Sequence, residues 1–143
     1  MKVLLTGSAG FIGSEIDRAL AARGDEVVRV DLMLPAAHGA ADPPPGTHRL
    51  DVRDASAWTS LLEGVDVVCH QAALVGLGTA VGDLTSFASH NDLGTTALLV
   101  AMHEAGVRRL VVAGLRRQVG KGTSRDVRGV AGQDVHVSQT RLR

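Results

Sequence analysis

The sequence predicts an α/β fold, a parallel sheet of about five strands doubly wound by helices on both faces. Three observations predict it. Short apolar runs of strand length recur at residues 3–5, 27–30, 67–69 and 110–113. Segments with helical spacing lie between them, the alternation that right-handed βαβ crossovers produce. Thr6, Asp31, Asp51 and His70 each stand just after a strand, where sheets of this kind gather their ligands.

Val3-Leu4-Leu5 is long enough for one buried strand and too short for much else. It breaks at Thr6-Gly7-Ser8-Ala9-Gly10-Phe11-Ile12-Gly13, and a helix opens inside that turn. Ile12, Ile16, Ala19 and Leu20 share its apolar face, and Gly24 stops it. Val27, Val28 and Val30 form a second strand ending at Asp31. Residues 33–46, with Pro43-Pro44-Pro45, read as a surface loop. A third strand is expected over 47–52. Asp54 then caps a helix over 55–63, which Gly64 ends. A fourth strand spans 66–73, a glycine-rich loop 74–84, and a long helix 86–105. Gly94 inside that helix costs about 1 kcal/mol relative to alanine, which points to close packing or to a ligand. Gly106 ends the helix and residues 110–113 make the fifth strand.

At 143 residues the chain suits one domain. Its 45% apolar and 21% charged residues are ordinary for a globular protein. Net charge is zero but unevenly spread. Residues 1–115 carry eight Lys/Arg against thirteen Asp/Glu, and residues 116–143 carry seven against two. No groove-reading motif accompanies the basic end, so nucleic acid is not an expected partner. Cys69, the only cysteine, sits in an apolar run and reads as a buried reduced thiol. No apolar run approaches a membrane span, and the three-residue apolar start is too short for a signal peptide; a cytoplasmic chain is expected. His38 and His48 are too isolated to suggest a metal site.

The glycines at 7, 10 and 13 carry the first chemical reading. A strand feeding a glycine turn and a helix presents unpaired N–H groups and a positive dipole end to a phosphate. Gly7 permits the tight turn, Gly10 the close approach of a pyrophosphate, and Gly13 the packing of helix on strand. Asp31, eighteen residues beyond Gly13, can accept the adenosine ribose hydroxyls. It would repel a 2′-phosphate and Leu32 offers no cation, so NAD is predicted over NADP. Asp51-Val52 reads either as an adenine contact or as an ordinary solvated acid. His70 has no partner carboxylate nearby in sequence and is given no proton-transfer role.

These motifs together resemble the nucleotide-binding half of an extended short-chain dehydrogenase/reductase, the NAD-dependent epimerase/dehydratase family acting on nucleotide sugars. The resemblance rests on Thr6-Gly7-x-x-Gly10-x-x-Gly13, Asp31, Asp51-Val52-Arg53-Asp54, His70-x-Ala72-Ala73, Asn91-x-x-Gly94-Thr95 and Gly106-Val107-Arg108-Arg109, and covers residues 1–113. It implies a Rossmann-type sheet, truncated relative to the family. By the same analogy Phe11-Ile12 line the pyrophosphate turn, Ala72-Ala73 lie against the cofactor, and Asn91 helps to position it.

Family chemistry also needs a Ser/Thr after the fifth strand and a Tyr-x-x-x-Lys, whose tyrosinate removes a hydroxyl proton while hydride passes to the nicotinamide. Here Gly114 and Leu115 occupy the serine positions, Val119 the tyrosine position of that segment, and the chain contains no tyrosine. No catalytic residue is therefore assigned. Gly114 to Lys121 mimics a phosphate-binding Walker loop, but with five residues between its glycines and Gly122 where Ser/Thr is required. Residues 1–115 are expected to form a partial NAD-binding domain and 116–143 a poorly ordered basic tail. The sugar-nucleotide site of the family lies outside these residues. The fifth strand's far edge is expected to stay open and to invite self-association. Three readings follow: a truncated member that holds NAD without turnover, an enzyme completed by a partner fragment or an atypical base, and a non-enzymatic NAD-responsive module.

Overall fold

The computed structural model describes residues 1–75, 80–115, 127–128 and 134–141. β1 (Lys2–Thr6) feeds α1 (Phe11–Ala22), and β2 (Glu26–Asp31) follows. A one-turn α2 (Pro35–His38) precedes β3 (Thr47–Arg49). A 3₁₀ turn at Ala55–Ala57 leads into α3 (Trp58–Leu61) and then β4 (Val67–His70). The long helix is composite: a 3₁₀ turn (Val81–Asp83), α4 (Leu84–Phe87), a π-helical segment (Ala88–Leu93) and α5 (Gly94–Glu104). β5 (Arg109–Leu115), β6 (Val127–Arg128) and β7 (Asp134–Arg141) complete the sheet, in the order β3-β2-β1-β4-β5-β7-β6.

The first five strands are parallel, as expected. Strand order reverses between β1 and β4, which places the switch point, and the crevice beyond it, at Thr6 and His70. Period-2 alternation makes β1 bury both faces. Leu4 joins Val30, Val68 and Leu110 under Trp58, Leu62, Leu98 and Met102, the face covered by α3 and α5. Val3 and Leu5 join Val67 and Cys69 on the opposite face, against Ile16 and Leu20 of α1. Each fully buried leucine of this kind contributes roughly 2 kcal/mol of transfer free energy.

The differences from expectation are local. Asp54 does cap, accepting the Ser56 N–H at 3.1 Å, but only one 3₁₀ turn and one α turn follow before the chain must return for β4. The third strand stops at Arg49, because the Asp51 carboxylate and carbonyl turn back onto the Arg53 and Asp54 N–H groups. The loop after β2 contains α2, with Pro35 in its first turn where no N–H is needed. The far edge of the fifth strand is not open: β7 pairs antiparallel along it from Arg109↔Arg141 to Leu115↔Val135. That correction removes the basis for self-association through β5, since an unpaired edge is a row of unmet N–H and C=O groups that a nearby strand satisfies. Arg128 and Arg141 of the basic tail lie in β6 and β7; Val119 and residues 116–126 of the Walker-like and basic stretch lie outside the described residues.

Candidate functional site

The glycine turn is built by exclusion. Gly7 is left-handed (φ 67°), and a Cβ there would sit 2.8 Å from the Ala72 backbone nitrogen. The turn therefore runs directly against the chain leaving β4. Gly13 is buried in α1, where a Cβ would lie 1.9 Å from the Gly7 carbonyl oxygen, so only hydrogen fits between helix and turn. Gly10 is the extended N-cap residue; a Cβ on it would meet only the Gly7 oxygen, at 3.2 Å, among the described residues. The first turn of α1 has no side-chain cap and no acidic residue, which leaves its N–H donors and positive dipole end for an outside anion. The Phe11 and Ile12 side chains point outward from that turn, Phe11 being 88% exposed.

Asp31 is buried at the end of β2 beside the turn. Its Oδ2 accepts the Ala9 N–H at 3.0 Å and its Oδ1 the Met33 N–H at 2.8 Å. Met33 is held left-handed (φ 56°), an uncommon conformation for a residue with a side chain. His38 of α2 brings Nε2 to 3.4 Å from Asp31 Oδ1. A carboxylate offers about four acceptor positions, so two N–H bonds leave capacity for hydroxyl donors.

The switch point carries a buried polar cluster. Thr6 Oγ1 lies 2.7 Å from His70 Nδ1 and accepts the Gln71 and Ala72 N–H groups at 3.2 and 3.1 Å. His70 Nε2 lies 3.0 Å from Thr95 Oγ1. Burial lowers the His70 pKa from 6.5 to about 4, so the ring is neutral at neutral pH. Its position is that of a strut between β1, β4 and α5.

Asn91 reaches this rim from the π segment, and its amide mimics a strand partner. Oδ1 accepts the Leu74 N–H at 2.7 Å and Nδ2 donates to the Leu74 carbonyl at 3.0 Å. It thus fixes the Ala72–Ala73 backbone at the mouth of the crevice by holding the next residue. Asp51 is paired with Arg53, whose hydrogen bonds hold its carboxyl below the usual range, and Arg53 Nη1 donates to Ser89 Oγ at 2.9 Å. The Val52 side chain is buried, and its Cγ2 would be 2.5 Å from a Cβ at Gly94. Gly94 is therefore a packing glycine, one of the two possibilities its sequence position raised. Cys69 is buried as expected, and burial pushes its thiol pKa up.

Gly7, Gly10, Gly13 and Asp31 gather at the turn after β1, Ala72 packs on Gly7 and Asn91 holds Leu74 just beyond Ala73, whereas Val52 faces the core and Asp51 is taken up by Arg53. Three participants were not assigned from sequence. Thr95 stands out in the sequence only as the residue after Gly94, and His38 and Ser89 act across gaps of 7 and 36 residues, which no local pattern signals. Among the described residues, no group of three His, Cys, Asp or Glu gathers to hold a metal, and no helix is long and apolar enough to cross a membrane.

Comparison with known proteins agrees with this architecture. Residues 3–135 match the NAD dependent epimerase/dehydratase family. The dTDP-L-rhamnose 4-epimerase of Burkholderia thailandensis is 35% identical over 131 residues, covering 85% of this chain and 36% of that protein. The UDP-glucose 4-epimerase of Klebsiella pneumoniae is 32% identical over 120 residues, covering 78% of this chain and 86% of that sequence. The UDP-glucose-4-epimerase structure from Stenotrophomonas maltophila, with bound NAD and formylated UDP-arabinopyranose, aligns with a TM-score of 0.68 at 34% identity. That alignment covers 78% of this chain and 36% of the epimerase. The chain thus spans about a third of the length of the Burkholderia and Stenotrophomonas proteins.

Proposed function

The chain belongs to the NAD-dependent epimerase/dehydratase family, and from that premise we propose that the crevice between the ends of β1 and β4 holds NAD. The reading rests on one observation above the others. The uncapped first turn of α1 lies beside a buried Asp31 whose carboxylate is already oriented by the Ala9 and Met33 N–H groups. A dinucleotide needs both features at once, donors for its pyrophosphate and an acceptor for its ribose. In this reading the α1 N–H groups take the pyrophosphate and Gly10 lets it approach. Asp31 takes the adenosine ribose and excludes a 2′-phosphate, the backbone at Asp51 and Val52 borders the adenine, and Ala72, Ala73 and Asn91 form the wall toward the nicotinamide.

When bound, NAD supplies a hydride acceptor that can return the hydride to the substrate. The substrate class in this reading is a nucleotide sugar. These 143 residues include no tyrosine, so the tyrosinate that removes the substrate proton is not among them. Residues 1–115 then act as the cofactor-holding unit, 116–143 form a basic segment of which 134–141 close the sheet along β5, and these residues by themselves turn nothing over. A cytoplasmic setting accords with its single buried cysteine.

Isothermal titration calorimetry with NAD and NADP tests the reading. Saturable NAD binding with NADP at least about tenfold weaker is expected from the repulsion of a 2′-phosphate by a buried carboxylate. Absence of NAD binding at millimolar cofactor refutes it, and turnover of a nucleotide sugar by the pure chain refutes the non-catalytic part.

A further inference from the structure

The hydrogen bonds at the switch point assign the protons of Thr6 and His70. A hydroxyl has one proton and two lone pairs. The Gln71 and Ala72 N–H groups can only donate, and both reach Thr6 Oγ1, at 3.2 and 3.1 Å. The Gln71 N–H is shared with the Thr6 carbonyl oxygen, also at 3.2 Å, but the fully buried Thr6 hydroxyl has His70 Nδ1, at 2.7 Å, as its one acceptor among the described residues, so that nitrogen is bare. A ring protonated on Nδ1 would leave the buried Thr6 proton with no acceptor among the described residues. The neutral ring therefore carries its proton on Nε2 and donates it to Thr95 Oγ1 at 3.0 Å. Thr95 is made an acceptor, and its own proton is not spent on the ring.

That proton has no hydrogen-bond acceptor among the described residues. Thr96, next in sequence, differs: its hydroxyl donates to the Asp92 carbonyl at 2.8 Å, the usual resting place for a helical threonine. Thr95 stands one helical turn beyond Asn91, which holds Leu74 at the rim of the crevice. It is joined through His70 to the ends of β1 and β4, the two strands between which the order reverses.

We propose that His70 is a positioning residue, locked as the Nε2–H tautomer by Thr6, and that it turns the Thr95 hydroxyl into a donor for an oxygen of the dinucleotide lying across the β1/β4 crevice. The tautomer stands on the hydrogen-bond geometry alone; the identity of the acceptor rests on the NAD reading above. The relay runs one way, from the backbone of the β4 turn through Thr6 and His70 to α5. It makes the donor at the rim depend on the same turn that Gly7 packs against. Burial, which keeps the ring neutral, preserves this direction across the working pH range.

Two measurements on the full chain decide it. Nitrogen-15 NMR of histidine-labelled protein, with the His70 signal assigned by its loss in His70→Gln, should show a bare Nδ1 and a protonated Nε2. Thr6→Ser, which keeps the hydroxyl, should leave that pattern unchanged. A proton on Nδ1 in the unaltered chain overturns the relay. In NAD titrations Thr95→Val should weaken binding about fivefold, the loss of one hydrogen bond, with Thr95→Ser restoring it and Thr96→Val without effect. Unchanged affinity in a folded Thr95→Val chain overturns the donor role. Failure of the unaltered chain to bind NAD overturns the cofactor reading and the assigned acceptor with it, and the NMR result still decides the tautomer.

Discussion

Gly94→Ala should destabilise the chain in its natural background and stabilise it once Val52 has been cut back to alanine. The new Cβ would lie 2.5 Å from Val52 Cγ2 and 3.5 Å from Val52 Cβ, whereas carbon atoms rest at roughly 3.5–4.0 Å. Val52 cannot easily rotate away, because a β-branched side chain is stiff and this one is buried in the core cluster with Trp58 and Leu98. Overpacking of this kind costs about 1–3 kcal/mol, while replacing a mid-helix glycine returns about 1 kcal/mol. The net in the natural background is a loss of about 1 kcal/mol. Val52→Ala alone loses two buried methyl groups and leaves a small void, about 2 kcal/mol. With that void present the alanine methyl no longer clashes and only the helix gain remains. The two changes therefore couple by about 2 kcal/mol, well above the few tenths expected of independent sites. Urea unfolding followed by the fluorescence of Trp58, the only tryptophan and fully buried, measures all four corners of the cycle. An effect of Gly94→Ala equal in sign and size in both backgrounds would refute the packing role.

Three further outcomes follow from the site. The chain should lose stability as pH falls from 6.5 to about 4, because the unfolded chain takes up a proton on His70 that the native chain refuses until about pH 4; the loss is roughly 3 kcal/mol, and His70→Gln should flatten the slope in pH-dependent urea unfolding. Gly13→Ala should weaken NAD binding by more than about tenfold despite its better helix propensity, since a Cβ 1.9 Å from the Gly7 oxygen must push the turn away from α1; calorimetry reads the binding and circular dichroism the fold. Asn91→Ala should release Leu74, seen as faster hydrogen exchange at the Leu74 amide while the amides of β1 and β4 stay protected.

Much of the fold is legible in the sequence because its strands are buried on both faces. Val3-Leu4-Leu5 and Val67-Val68-Cys69 can hardly be anything but central strands, and the glycine spacing at 7, 10 and 13 follows from backbone contacts that tolerate no Cβ. What the sequence conceals depends on partners distant along the chain. Asn91 reads as a cofactor residue by analogy, yet its amide is committed to Leu74. Asp51 reads as an adenine contact or a solvated acid, yet Arg53 holds it and is itself held by Ser89. Residues 134–141 show only a Val135/Val137 alternation, too weak to announce a strand; the waiting edge of β5 makes it one. The helix expected over 55–63 shrinks to two turns because propensity does not encode how soon β4 must begin.

The π-helical segment Ala88–Leu93 has a consequence for how the chain can change. An α-helix advances about 100° per residue, so its contacts downstream share one rotational phase with its contacts upstream. Here Asn91 must face Leu74 while Gly94 and Leu98 face Val52 and the core, and the wider turn supplies the offset between the two. Losing one residue from the segment would restore regular pitch and swing either the amide off the rim or the glycine off Val52. Substitutions at Ser89, His90 or Asp92 leave that phase intact, whereas a single deletion does not. The number of residues between Phe87 and Gly94 is therefore a tighter constraint on this chain than the identity of those other than Asn91.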